Sequence, residues 1–238
     1  MNRYRGSYKR MRELVLDQNK HLIEEMINEP IVWICPQIGN DAELQLNGKG
    51  LMKLLDLPEN FFDGFWPRRA PQWDGLFISK VSKTLYLIEA KSHITEISKG
   101  NYEPKSGVRN YETKIYNYNM KCNSLRNVMK YFNVNDDRNN YWLHHYYQIA
   151  NRLAFLLKIK EACPNKEIKD AKLIFLNFVN DPDWLKSNKQ ASDEEWNKKY
   201  ETILNQMGIT EINLSDNDAF IWNIDLNLKY VHPFCTPL

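Results

Sequence analysis

The stretch "QWDGLFISKVSKTLYLIEAKSH", residues 72–93, holds two β-rich runs, 75–81 and 84–90, separated by Ser82 and Lys83, and reads as a hairpin. In the second run the two-residue period of a strand puts Leu85, Leu87, Glu89 and Lys91 on one face, and Tyr86, Ile88 and Ala90 on the other. Asp74 stands at the mouth of the first run. Pairing across the hairpin brings it near the end of the strand that carries Glu89, so Asp74, Glu89 and Lys91 are expected to converge.

Two carboxylates held at one spot repel each other unless a cation joins them, and hard oxygen ligands of this kind suit Mg²⁺ or Mn²⁺. Such an ion polarises a phosphate oxygen and lowers the pKa of a bound water, while a nearby lysine holds the attacking water or neutralises developing charge. The expected chemistry is phosphodiester hydrolysis. The same residues also read as a solvated strand-end acid and base, with Asp74 capping a turn. A glycosidase using Asp74 and Glu89 as its two carboxylates leaves Lys91 without a role.

Outward from the hairpin, residues 8–28 carry Met11, Val15, Leu22 and Met26 on one helical stripe closed by Pro30, which predicts a helix. A second is expected from about Asn40 to Leu55, weakened by Gly48 and Gly50. Residues 107–132 are polar and Asn/Tyr-rich with weak helical periodicity. By contrast "YWLHHYYQIANRLAFLLKIK", 141–160, repeats apolar residues at 142, 146, 149, 153 and 156 and predicts a helix. "AKLIFLNFV" reads as a buried strand, 193–207 as an amphipathic helix opened by Ser192, and "AFIWNIDL" as a last strand. Helices, a hairpin, long helices and further strands imply the α/β class: a small mixed sheet with helices on its faces.

The 238 residues show no linker-like break, so one domain spanning 1–238 is expected, with an N-terminal helical extension over about 1–39. A composition of 43% hydrophobic and 26% charged residues excludes a disordered or membrane-embedded chain. The net charge of +2 gives little overall field, so a polyanion must be held by local Lys and Arg clusters. The basic opening "MNRYRGSYKRMR" is not followed by the apolar region of a signal peptide, and a cytoplasmic location is expected. Cys35, Cys122, Cys163 and Cys235 are scattered, which suggests reduced thiols rather than a disulfide framework or zinc site.

With Asp74, Glu89 and Lys91 on its signature positions, the chain resembles the PD-(D/E)XK nuclease superfamily, the restriction-endonuclease-like fold. Pro71 is slightly displaced from the place where that name puts a proline. The blocks "FWPRRAPQWDGL", "LIEAKSHITEI", "YYQIANRLAFLL", "AKLIFLNFVND" and a late Trp and "HPF" look like a family of uncharacterised bacterial proteins within that superfamily, from about residue 40 to the C-terminus. The resemblance implies a restriction-endonuclease-like core with a four-stranded mixed sheet. It implies a metal held by Asp74, Glu89 and the carbonyl of Ala90, with Lys91 beside the attacking water. It nominates Glu43 as an added acid, with Glu24 and Glu25 as weaker rivals, and nucleic acid, DNA ahead of RNA, as partner.

Gln148 and Arg152 are one turn apart on the 141–160 helix and face either a cleft or solvent. The resemblance implies for Gln148 the place of a glutamine that some members of the superfamily set on a helix behind the lysine, with Asn151 and Arg152 in reach of phosphate. Arg68 and Arg69, between Pro67 and Pro71, read as a phosphate clamp or an ordinary basic loop. His93 follows Lys91 by two and is an auxiliary candidate or a solvated strand-end group. The N-terminal Arg and Lys residues read as a disordered basic terminus or a nucleic-acid arm. The tryptophans Trp66, Trp73, Trp142 and Trp222 read mostly as core. The rival to an enzyme is a catalytically inactive module of the same fold that binds nucleic acid or a protein partner.

Overall fold

The computed structural model describes residues 5–37, 49–67, 71–97, 103–163 and 167–234. Six strands form one sheet in the order β1 (Ile31–Cys35), β2 (Gly75–Ser79), β3 (Thr84–Lys91), β4 (Asp170–Phe178), β5 (Ala219–Asp225) and β6 (Tyr230–Pro233). β1, β2 and β3 are a local antiparallel meander, as short turns permit. The β3–β4 and β4–β5 pairs are parallel, and each parallel step requires the chain to cross over the sheet through helices. β6 returns antiparallel to β5. The α/β class is therefore the observed one, with six strands in place of the four that the resemblance implied.

Both faces of the sheet are covered. Along β3 the alternation expected from sequence holds, with Leu85 and Leu87 in the larger core and Tyr86, Ile88 and Ala90 in the smaller. The larger core receives α3 (Lys49–Leu54), α4 (Tyr111–Tyr131), α5 (Tyr147–Lys160), α6 (Asp193–Met207) and α7 (Glu211–Asp216) through residues such as Leu51, Leu125, Phe155, Trp196 and Leu214. The smaller receives α1 (Ser7–Leu14) and α2 (Asp17–Ile27) through Met11, Leu14, Leu22 and Ile23. Every residue of β3 is buried, as a strand between two helical layers must be.

Several elements differ from their expected form for identifiable reasons. The helix expected over 8–28 is two, because Leu16 is extended at φ −65°, ψ 146°. The break is stabilised by Asn19, whose side-chain amide donates to the Glu13 carbonyl at 2.8 Å. The weakly periodic stretch 107–132 contains the longest helix described, α4, whose buried residues run only from Cys122 to Met129. Its first half supplies little apolar signal. The helix expected over 141–160 begins as a π-helical turn, Tyr141–His145, in which the Tyr146 N–H bonds the Tyr141 carbonyl at 2.7 Å. α6 opens as expected, with Ser192 and Glu195 forming a reciprocal capping box. Of the helix expected from Asn40 to Leu55, only α3 lies among the described residues.

Cys35, Cys122 and Cys163 are buried thiols, and Trp66, Trp73, Trp142 and Trp222 are core residues. No helix among the described residues is long and apolar enough to cross a membrane.

Candidate active site

Because β2 runs against β3, the start of β2 lies beside the end of β3. The Asp74 N–H donates to the Ile88 carbonyl at 3.1 Å, and the Ala90 N–H returns a bond to Asp74 Oδ2 at 2.7 Å. This exchange fixes the Asp74 carboxylate next to the strand that carries Glu89. A polar cleft of about 370 Å³ opens there, lined by Asp74, Glu89, Ala90 and Lys91. It lies at the carboxyl end of a parallel strand, where open α/β sheets commonly bind ligands. The expected convergence of Asp74, Glu89 and Lys91 is thus present in the fold.

The surroundings of Glu89 could not be read from the hairpin. Glu89 is 3% exposed, and its carboxylate accepts from three side chains. Lys91 Nζ and Gln148 Nε2 share Oε1. Arg152 reaches Oε2 with Nε at 2.6 Å and Nη2 at 2.5 Å. Arg152 continues to the Gln72 carbonyl at 2.8 Å and the Asn151 side-chain oxygen at 3.0 Å, and its guanidinium lies 4.8 Å from the Trp73 ring centre. Gln148 and Arg152 therefore face the cleft rather than solvent. The Arg152 donors are engaged by Glu89, by the Asn151 side chain and by the backbone just ahead of Asp74.

Electrostatics follow from this crowding. Burial alone raises the Glu89 pKa, but the charges of Arg152 and Lys91 and their hydrogen bonds outweigh it and hold the carboxyl below its ordinary value. Burial lowers the Lys91 pKa, and Glu89 together with Asp74 more than reverses that, so the ammonium titrates above its ordinary value. Lys91 is a fixed cation at neutral pH. It also lies 3.3 Å from the Ala90 carbonyl.

Two further residues line the cleft without any periodic signal to announce them: Ser7 at the start of α1, and Glu96 on the turn Ile94–Glu96. Glu96 accepts from the Ser92 N–H at 2.7 Å and its hydroxyl at 3.3 Å. His93 does not line the cleft; it sits behind Glu96, with Nε2 3.3 Å from Glu96 Oε1 and Nδ1 2.8 Å from the Thr95 hydroxyl. Glu24 is used elsewhere, accepting from the Ile31 N–H at 3.0 Å and pairing with Lys20. Glu43, Arg68 and Arg69 lie outside the described residues.

The oxygen donors in the cleft, the carboxylates of Asp74 and Glu89 and the carbonyl of Ala90, are of the hard type that Mg²⁺ or Mn²⁺ prefers. Among the described residues no group of three His, Cys, Asp or Glu is disposed to hold an ion by itself. With Glu89 Oε1 accepting from Lys91 and Gln148, an ion at that oxygen requires these donors to yield. Comparison with protein-family models, curated proteins and solved structures gave no match.

Proposed function

We propose that the protein is a metal-dependent phosphodiesterase acting on nucleic acid, with the restriction-endonuclease-like reading of its core. The observation that carries this is the meeting of Asp74, Glu89, Ala90 and Lys91, from two adjacent strands, in one polar cleft. The meander followed by a parallel crossover supports it, since that order sets the two strand ends side by side. Asp74, Glu89 and the Ala90 carbonyl would hold Mg²⁺ or Mn²⁺, which when bound polarises the phosphate and acidifies a water.

The chain's own contributions follow from the contacts. Lys91, whose Nζ lies beside the Glu89 carboxylate and the Ala90 carbonyl, acts as a donor and charge stabiliser for the phosphate. The Ala90 N–H orients Asp74, and Arg152 orients Glu89. Gln148, in reach of Glu89 Oε1, would turn away with Lys91 when an ion takes that oxygen and would then face the cleft as a donor.

The test is a panel of labelled DNA and RNA substrates with Mg²⁺, Mn²⁺ or EDTA, with Glu89→Ala as the control for contaminating nuclease. Lys91→Ala should slow metal-dependent cleavage by about a hundredfold or more, the scale of losing one electrostatic stabiliser, with a smaller loss of binding. Cleavage that survives Lys91→Ala unchanged removes the assignment. The second reading, a catalytically inactive binding module, draws support from the neutralisation of Glu89 by Arg152 and Lys91. It predicts binding without cleavage, and only modest weakening in Lys91→Ala.

A further inference from the structure

One side of the cleft is built by the N-terminal segment. Lys9 pairs with Asp183 at 2.9 Å, and Arg10 pairs with Asp181 at 2.7 Å. These residues do not form a loose basic tail; they are tied to the turn Pro182–Ser187 that follows β4. Within that turn Trp184 donates its indole N–H to the Ser92 hydroxyl at 2.7 Å, and Ser92 in turn holds Glu96 at the cleft. His93 meets the Trp184 ring edge-on, with centres 4.2 Å apart. The indole is thus linked to the cleft wall through Ser92 and Glu96.

Two cations rest on this ring. The Arg5 guanidinium lies 4.2 Å from its centre and the Lys189 ammonium 6.0 Å. Arg5 is positioned further by donating Nε and Nη2 to the Asp183 carbonyl at 3.2 and 2.6 Å. Both side chains are exposed, and among the described residues neither is paired with a carboxylate. Lys9 and Arg10, their neighbours, are paired. The cluster therefore keeps two uncompensated positive charges, one of them oriented, next to a cleft whose chemistry suits a phosphodiester. Two cations without a paired carboxylate, Arg5 oriented by its hydrogen bonds and Lys189 resting on the same ring, fit the phosphates of a polynucleotide.

We propose that Arg5 and Lys189, seated on Trp184, clamp a backbone phosphate of a single nucleic-acid strand as it leaves the cleft. The proposal rests on the phosphodiesterase reading for its substrate class, but it is a statement about binding and can be tested without cleavage. Fluorescence anisotropy with a short labelled DNA oligonucleotide, and with RNA of the same sequence, in EDTA across a salt series, compares wild type with Arg5→Gln/Lys189→Gln. Both positions are exposed; circular dichroism and the melting temperature check that the variant is folded.

The expected result is weaker binding and a shallower salt dependence, the slope of log K against log salt falling by about 0.7 for each lost phosphate contact. DNA weakened more than RNA, or the reverse, identifies the strand that the clamp serves. Equal affinity and slope in the variant overturn the proposal, as does wild-type protein that binds neither oligonucleotide at low salt. Metal-dependent cleavage with unaltered binding by the variant leaves the enzyme reading standing and removes the clamp. Weakened binding by the variant, with no cleavage by wild type on any substrate, does the reverse.

Discussion

At the scale of single residues, Glu89 decides the character of the cleft. Its ion pairs with Arg152 and Lys91 are buried, and removing one partner of such a group leaves charge without compensation. Arg152→Met should lower stability by about 3 kcal/mol in urea denaturation. Arg152→Met combined with Glu89→Gln should cost less than the sum of the two single changes; additive losses would show that the pair is not coupled. The pH dependence has a definite sign. Because the folded pKa of Glu89 lies below the ordinary 4.5, its contribution is present above that value and lost as pH falls through the lowered one. Glu89→Gln should therefore flatten the acid limb of stability. The meeting of Asp74, Glu89 and Lys91 was legible because strand period and hairpin pairing are local rules. The role of Arg152 was not, since it joins Glu89 across 63 positions and depends on how α5 is set after its π-helical opening.

Among the elements, α1 depends on an unusual entry. Gly6 precedes it at φ 70°, ψ −150°, a region open essentially to glycine alone. A Cβ there would also meet Ser92 Oγ at 3.0 Å and the Trp184 ring at 3.1 Å. Gly6→Ala should destabilise the protein by about 1–3 kcal/mol and loosen α1 from the turn that holds Trp184. Thermal unfolding gives the magnitude, and faster amide exchange over residues 7–14 gives the location; a stable variant with unchanged exchange would refute the dependence. At Gly75 an added Cβ would come within 2.6 Å of the Met11 methyl, the end of a flexible side chain that can shift, so this glycine constrains the packing less than Gly6 does. The Gly6 requirement does not show in the helical pattern of 8–28, because hydrophobic spacing reports which face is buried and not the backbone conformation at the helix entry. β1, β6 and α7 are short segments that periodicity did not distinguish from loops.

Over the whole molecule, the most buried strands lie in the middle of the sheet and the antiparallel edges are more open. β3 is buried throughout, whereas β1 exposes Val32 and β6 is only partly covered. Native-state hydrogen exchange should give the slowest amides in residues 85–91 and 173–178, and faster exchange in β1 and β6, because opening the centre requires global unfolding. Equal protection across the sheet would contradict this. The α/β class was legible because strand-like and helix-like runs alternate with distinct periods. The six-strand extent was not, because edge strands bury less and leave weaker patterns.

The seating of Arg5 against Asp183 and Trp184 also bears on how the protein is handled. Anything fused ahead of residue 5 is tethered at the rim of the cleft, close to Ser7. A polyhistidine tag there adds imidazoles that bind divalent ions beside a cleft assayed for metal dependence, so tag and site would titrate together. Purification schemes that cleave such a tag, or place it elsewhere, separate the two.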